Sequence, residues 1–195
     1  MEANLKISIG TPTYDGFKTE TVLCLIMALR ELNHEVHLNF RKGTYVHEAR
    51  NQIVKEAQIN GATHLMFIDA DIAFPKDGIK RLLSHHKDIV GGIYNLKSFP
   101  LTTTLKLVDK AGNLTKSSTE KIPKKLFKCH ALGTGFLLIN MSVFEKVKKP
   151  YFDFNTYHGE FMGEDINFCN KAHDAGFDIW CDPTIRLGHI GDYLY

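Results

Sequence analysis

Two aspartates, Asp69 and Asp71, stand one residue apart at the end of the apolar run Leu65–Ile68 in the stretch THLMFIDADIAFP. Like charges at that spacing repel, and a shared cation relieves the repulsion. A hard divalent ion, Mn²⁺ or Mg²⁺, takes oxygen ligands. It often uses only one or two protein carboxylates and completes its shell with phosphate oxygens and water. A helix cap plus a turn aspartate would account for one carboxylate comfortably and for two poorly. Asp69 and Asp71 are therefore expected to hold a metal.

Other positions carry chemistry on similar terms. Arg50, next to Ala49 and beside the docking face of a helical stretch, is either a solvated cation or a guanidinium reaching a nucleotide diphosphate, which suits its bidentate geometry. Thr11, Pro12, Thr13 and Tyr14 are either a simple turn or, as a strand-end loop, a place to contact a base and ribose. Lys97, just past another strand, is a solvated lysine or a phosphate or sugar contact. Gly133 and Gly135, ahead of the apolar run FLLIN, permit either a bulge or a close backbone approach to a ligand. Of ten histidines, His189 is set apart by the glycines of LGHIG.

These positions punctuate a regular alternation of strand and helix. LKISIG (residues 5–10) alternates like a strand and stops at TPTYDG. Residues 18–33 then place Val22, Leu25, Ile26, Leu29 and Leu32 on one helical face. HEVHLNF (34–40) is a second strand, and VHEARNQIVKEAQIN (46–60) a second helix that Gly61 stops. Residues 65–68 form a third strand, buried on both faces. Pro75 suits the first turn of another helix, and DIVGGIY (88–94) is a fourth strand. Such alternation implies right-handed crossovers and an α/β fold, a Rossmann-like, mostly parallel central sheet flanked by helices. Ligands of these sheets gather outside the carboxyl ends of the strands, where Asp69 and Asp71 fall.

The second half changes character. PLTTTLKLVDKAGNLTKSSTEK reads as an antiparallel hairpin turning near DKAGN, and GTGFLLINMSVFEKV as a strand and a short helix capped by Ser142. GEDINFCNKAHDAG is a helix with Glu164 and Asp165 in its first turn, and FDIWCDP a strand. The 195 residues suffice for one domain with a real core. With 44% hydrophobic and 24% charged residues the chain is a folded soluble protein and not a disordered one. A net charge of +2 without a basic stripe gives no reason to expect nucleic-acid binding. No window approaches the ~20 apolar residues of a membrane span, and the N-terminus lacks the layout of a signal peptide. Four cysteines without CxxC or zinc spacing point to a reducing, cytoplasm-like compartment.

FIDADIAF resembles the DxD motif of GT-A-fold glycosyltransferases, which hold a nucleotide-sugar diphosphate through a metal. TPTYDG resembles the nucleotide-facing loop of that fold, and ARNQIVKEA the Arg-Asn helix of its family 2-like members. GTGFLLIN and GEDINFCNKAHDAGFDIWCDP resemble the acceptor-side segment in which an ED pair opens a helix. The resemblance covers nearly the whole chain and divides it into a nucleotide-binding half, 1–100, and an acceptor-side half, 101–195. It implies metal-dependent transfer of a sugar from a nucleotide-sugar donor, most commonly a UDP-sugar, to a hydroxyl of a glycan or other acceptor, with Mn²⁺ or Mg²⁺ as cofactor. Donor contacts would then come from Thr11, Pro12, Thr13, Tyr14, Arg50, Asp69, Ala70, Asp71, Lys97 and Gly135. His189 would be a third metal ligand beside Asp69 and Asp71. Asp165, or its neighbour Glu164, would be the base of an inverting reaction.

LNFRKG stands where many family 2 enzymes carry an acidic turn that reads the base, so the nucleobase stays open. The short chain fits a stand-alone enzyme of viral type, in the host cytoplasm, or one module of a longer chain. Two rival classes compete with this reading. A haloacid-dehalogenase-like phosphatase uses the first aspartate of a DxD as nucleophile, but its motif usually follows an early strand and continues Gly-Thr, not Ile72-Ala73-Phe74. A nucleotide-sugar-binding module would need the metal site and show no turnover.

Overall fold

The computed structural model describes residues 5–43, 45–109, 114–116, 122–157 and 160–191. The first half runs β1 (Lys6–Thr13), α1 (Thr19–Leu29), β2 (Glu35–Lys42), α2 (Val46–Ile59), β3 (His64–Ile68), β4 (Ile72–Ala73), α3 (Gly78–Ser84) and β5 (Ile89–Ile93). The second runs β6 (Lys106–Val108), β7 (Leu114–Lys116), β8 (Phe127–Cys129), β9 (Phe136–Asn140), α4 (Val143–Lys146), β10 (Asn155–Tyr157), β11 (Glu160–Met162), α5 (Glu164–Asp174), β12 (Ile179–Arg186) and β13 (Gly188–His189).

Seven strands form one sheet in the order β2-β1-β3-β9-β5-β12-β8. β1 pairs parallel with β2 and β3, and β5 pairs parallel with β12. β9 runs antiparallel between β3 and β5, and β8 antiparallel on the far edge. The expected α/β architecture with a mostly parallel sheet is present. The placement of β9 was not anticipated. A strand from the second half splits the sheet of the first, so residues on either side of position 100 share one hydrogen-bonded layer.

Alternate side chains of the strands feed two cores. Leu65 and Phe67 of β3 pack with Ile53, Val54 and Ala57 of α2 and with Phe168 and Ala172 of α5. Met66 and Ile68 face the other way, toward Leu25 and Ala28 of α1 and Ile79 and Leu82 of α3. Full burial on both faces explains why β3 is an unbroken apolar run. Gly10 sets the height of α2 over the sheet, since a Cβ there would come within 2.3 Å of Ile53 Cγ2. That close approach carries Arg50, one turn before Ile53, to the carboxyl end of β3.

Several boundaries differ from the sequence reading. β1 runs on through Thr11-Pro12-Thr13, where a turn was expected. β3 leaves β1 after Gly10, so only β2 pairs with the extension, and a proline is tolerated there. α3 starts at Gly78 and not at Pro75. Ser142 makes no side-chain cap; its N–H instead donates to Asn140 Oδ1. The hairpin forms as β6 paired with β7, its turn near DKAGN lying outside the described residues. All four cysteines are free thiols. No helix of the described residues is long and apolar enough to cross a membrane.

Candidate functional site

β3 ends at Ile68, and the chain turns over Asp69-Ala70-Asp71 before β4. Three backbone bonds fix the turn from different parts of the chain. Asp69 N–H donates to Gly135 O, Lys18 N–H to Ala70 O and Ile190 N–H to Asp71 O. β13 pairs with β4 and sets His189 opposite Ile72. A cleft of about 1040 Å³ opens above the turn, lined by Pro12 to Lys18, by Gly43 and Tyr45, and by Arg50, Asp69, Asp71, Lys97 and His189 among others. That is the upper end of the volumes that enclose a drug-sized ligand.

The two aspartates point into different surroundings. Arg50, 4% exposed, donates from Nη2 to both oxygens of Asp69, at 3.0 and 3.4 Å. Its Nε lies 3.6 Å from Glu164 Oε1, and its guanidinium sits over the Phe67 ring. Burial pushes the Asp69 carboxyl above the usual range, the charge of Arg50 pulls it back, and Asp71 adds to the push. The Arg50 guanidinium is held more firmly charged, because Asp69 and Glu164 outweigh its burial. Asp71 meets Lys97 Nζ at 2.5 Å and His189 Nε2 at 3.4 Å through the same oxygen. Burial opposes its ionisation, but the His189 and Lys97 contacts prevail and bring the carboxyl down to about 2.

His189 is oriented from behind. Its Nδ1 lies 2.8 Å from the Asn95 carbonyl oxygen, which can only accept, so Nδ1 carries the proton. Nε2 then faces Asp71, donating to it as imidazolium and offering a lone pair to a cation in the neutral form. The ring also packs edge-on against Tyr94, at 5.2 Å between centroids. Tyr94 is the residue that sequence reasoning missed. Its hydroxyl accepts the Gly135 N–H at 3.0 Å, and a Cβ on Gly133 or Gly135 would lie within 2.6 Å of that oxygen. The two glycines thus make room for a tyrosine. The only signal of it in the sequence was an aromatic residue closing DIVGGIY.

Of the expected donor contacts, Pro12, Thr13, Tyr14, Arg50, Asp69, Ala70, Asp71 and Lys97 line the cleft, with His189. Thr11 and Gly135 are buried behind it. Thr13 bonds Gly16 in both directions, shaping the turn that presents Tyr14. Arg50 differs from its sequence reading: it borders the cleft, but one face is committed to Asp69 and Glu164. Lys97 is likewise paired with Asp71. Glu164 and Asp165, the first two residues of α5, do not line the cleft. Glu164 braces Arg50, while Asp165 accepts its neighbour's N–H, at 2.8 Å from Ile166 N. Burial and the Glu164 charge raise the Asp165 carboxyl. Among the described residues no three His, Cys, Asp or Glu side chains converge closely enough to hold an ion unaided. Asp71 and His189 form a pair, with Asp69 drawn aside by Arg50.

No family model matches the chain, and no curated protein matches it. Among solved structures it is similar to the crystal structure of A197 from STIV, with a TM-score of 0.66 and 19% identity over 96% of this chain and 87% of that one. At that identity the likeness bears on the fold alone.

Proposed function

We propose that the chain is a GT-A-type glycosyltransferase that moves a sugar from a nucleotide-sugar donor, a UDP-sugar in the first instance, to an acceptor hydroxyl. The observation that carries the reading is the pairing of Asp71 with a pre-oriented His189 at the mouth of a nucleotide-sized cleft, at the carboxyl end of a buried parallel strand. An oxygen–nitrogen pair whose histidine is fixed through its other ring nitrogen suits a divalent ion. An incomplete cage suits an ion that arrives with phosphate oxygens. Asp71 and His189 would hold Mn²⁺ or Mg²⁺, with Asp69 beside them turned toward Arg50. When bound, the ion supplies Lewis-acid stabilisation of the departing nucleotide diphosphate.

The chain's own residues do the rest. Lys97, which lies beside Asp71 at the cleft, would supply a cation for the diphosphate. Arg50 orients Asp69 and opposes the burial that raises its carboxyl. Tyr14 and Tyr45, 84% and 74% exposed on the cleft wall, offer flat apolar faces to a base or sugar. Asp165 remains the candidate base, its raised carboxyl being closer to the operating pH than an ordinary aspartate. Because it stands outside the cleft wall, an acceptor has to approach it from the α5 side.

Calorimetry with UDP in the presence and absence of Mn²⁺ tests the site. Binding that requires the ion supports it, and no binding in either condition removes it. Turnover is tested separately, by following sugar release from a panel of nucleotide sugars with Mn²⁺. Ion-dependent binding without release would identify a non-catalytic module instead. Phosphate release from a simple phosphomonoester would favour the phosphatase class.

A further inference from the structure

The edge of the sheet far from β8 is unusually apolar for a surface. β2 is eight residues long and, among the described residues, has no strand on its outer side. Long uncovered edge strands invite pairing, and proteins ordinarily blunt them with central charges, prolines or bulges. β2 keeps its charges at the ends and places Val36, Leu38 and Phe40 on one face. That face is α1's side of the sheet: Ile7 and Ile9, in register with Val36 and Leu38, pack on Leu25 and Ala28 of α1. The outer stripe of α1 is apolar as well. Val22, Leu23, Ile26 and Met27, with Leu38 and Phe40, are each 37–57% exposed. Together they leave on the order of 500 Å² of apolar side chain in water, the size of the largest patch on an ordinary monomer, which is often functional.

We propose that this face binds a second copy of the chain, β2 against β2 in antiparallel register about Leu38, across a two-fold axis normal to the sheet. The strand is complementary to itself in that register. Leu38 lies opposite Leu38 of the second copy and Val36 opposite Phe40, while Glu35 lies opposite Arg41. Opposite charges and apolar pairs facing across strands are the favourable combinations. Moving the centre to Asn39 would set Arg41 against His37. Glu35 already holds Lys6 and His37, and Arg41 holds Glu56, so the contact joins two existing ion-paired groups. The same axis puts both α1 helices on one side of a continuous fourteen-stranded sheet (twice the seven strands of one copy). In antiparallel contact their ends match too, Glu20 toward Arg30 of the other copy. Two patches, with the strand backbones and flanking side chains, approach the ~1,200 Å² of a stable interface. This proposal is independent of the catalytic reading, since its surface residues do not line the cleft.

Sedimentation of the intact chain at micromolar concentration is expected to show a dimer. Leu38→Lys places two like charges on the axis and leaves a single chain undisturbed, because Leu38 is exposed there. It should raise the dissociation constant by at least about tenfold, since like-charge juxtaposition across an interface costs several kcal/mol. Glu35→Arg and Arg41→Glu should each dissociate the dimer, with circular dichroism confirming the fold. Mixed together they should pair again, because each then supplies the charge that the other lacks. A monomeric wild type overturns the proposal. So does a dimer that Leu38→Lys leaves intact, or a charge-reversed pair that stays monomeric on mixing.

Discussion

Asp69 and Asp71 are the same residue two positions apart, and the protein gives them opposite environments. Asp69 borders the cleft but is tied into a cluster with Arg50, Glu164 and Tyr94, in which a buried cation comes from α2 and a second carboxylate from α5. Asp71 lines the same cleft, and its partners, Lys97 and His189, come from segments following β5 and β12. The first carboxyl is pushed up by burial, and the second is brought down to about 2. A buried ion pair mainly fixes geometry and is costly to break. A carboxylate at the edge of solvent can exchange one cation for another. Under the proposed function Asp71 meets the ligand, while Asp69, held by Arg50, shapes the turn.

The largest effect should come from removing the buried cation. Arg50→Ala leaves the partly buried Asp69 and Glu164 carboxylates without their buried cation, and is expected to cost about 3 kcal/mol of stability in urea unfolding. Lys97→Ala, on the open side, should cost less than ~1 kcal/mol, as partly exposed pairs do. Equal losses from the two would erase the distinction.

Binding should divide the other way. Asp71→Asn is expected to weaken Mn²⁺-dependent UDP binding by ~100-fold or more, beyond the range seen for groups that only support a metal's ligands. Its urea midpoint should fall less than that of Arg50→Ala. His189→Gln should weaken the same binding by roughly 10-fold, since it removes one ligand and leaves the carboxylates. If His189→Gln bound Mn²⁺ and UDP as the wild type does, the histidine would be only a brace for the turn.

The smallest effect is in titration. Carboxyl NMR should place Asp71 at about 2 and Asp69 above an ordinary aspartate. Lys97→Ala should move Asp71 upward and leave Asp69 nearly still. Because the folded pKa of Asp71 is depressed, its stabilising contribution is complete above the unfolded value of about 4. It is lost as the pH falls toward about 2. For Asp69 the sign reverses: its raised carboxyl is most favourable below the unfolded value, and that contribution fades as the pH rises through the folded one.

Local pattern identified much of this protein. The apolar run 65–68, bounded by aspartates, marked a buried strand and a strand-end site. The periodicity of residues 46–60 located α2 to within a residue. Pattern misled where a partner outside the window decided the outcome. Thr11-Pro12-Thr13 looks like a turn, yet it extends β1 because β2 runs beside it. Gly133 and Gly135 look like an opening for a ligand, yet Tyr94, some forty residues earlier, fills the space.

The sequence by itself determined the α/β alternation, the position of the paired aspartates and the identity of most residues around the cleft, because those follow from short-range periodicity and strand direction. Only the tertiary structure decided how the pair is divided. Arg50, Lys97 and His189 reach Asp69 or Asp71 from sequence separations of 19 to 118 residues, and Glu164 reaches Arg50 from α5. Whether a carboxylate is raised or lowered depends on burial and on which charges come within a few ångströms. Those distances arise when β9 is inserted between β3 and β5 and β13 closes on β4, events to which no local window is sensitive.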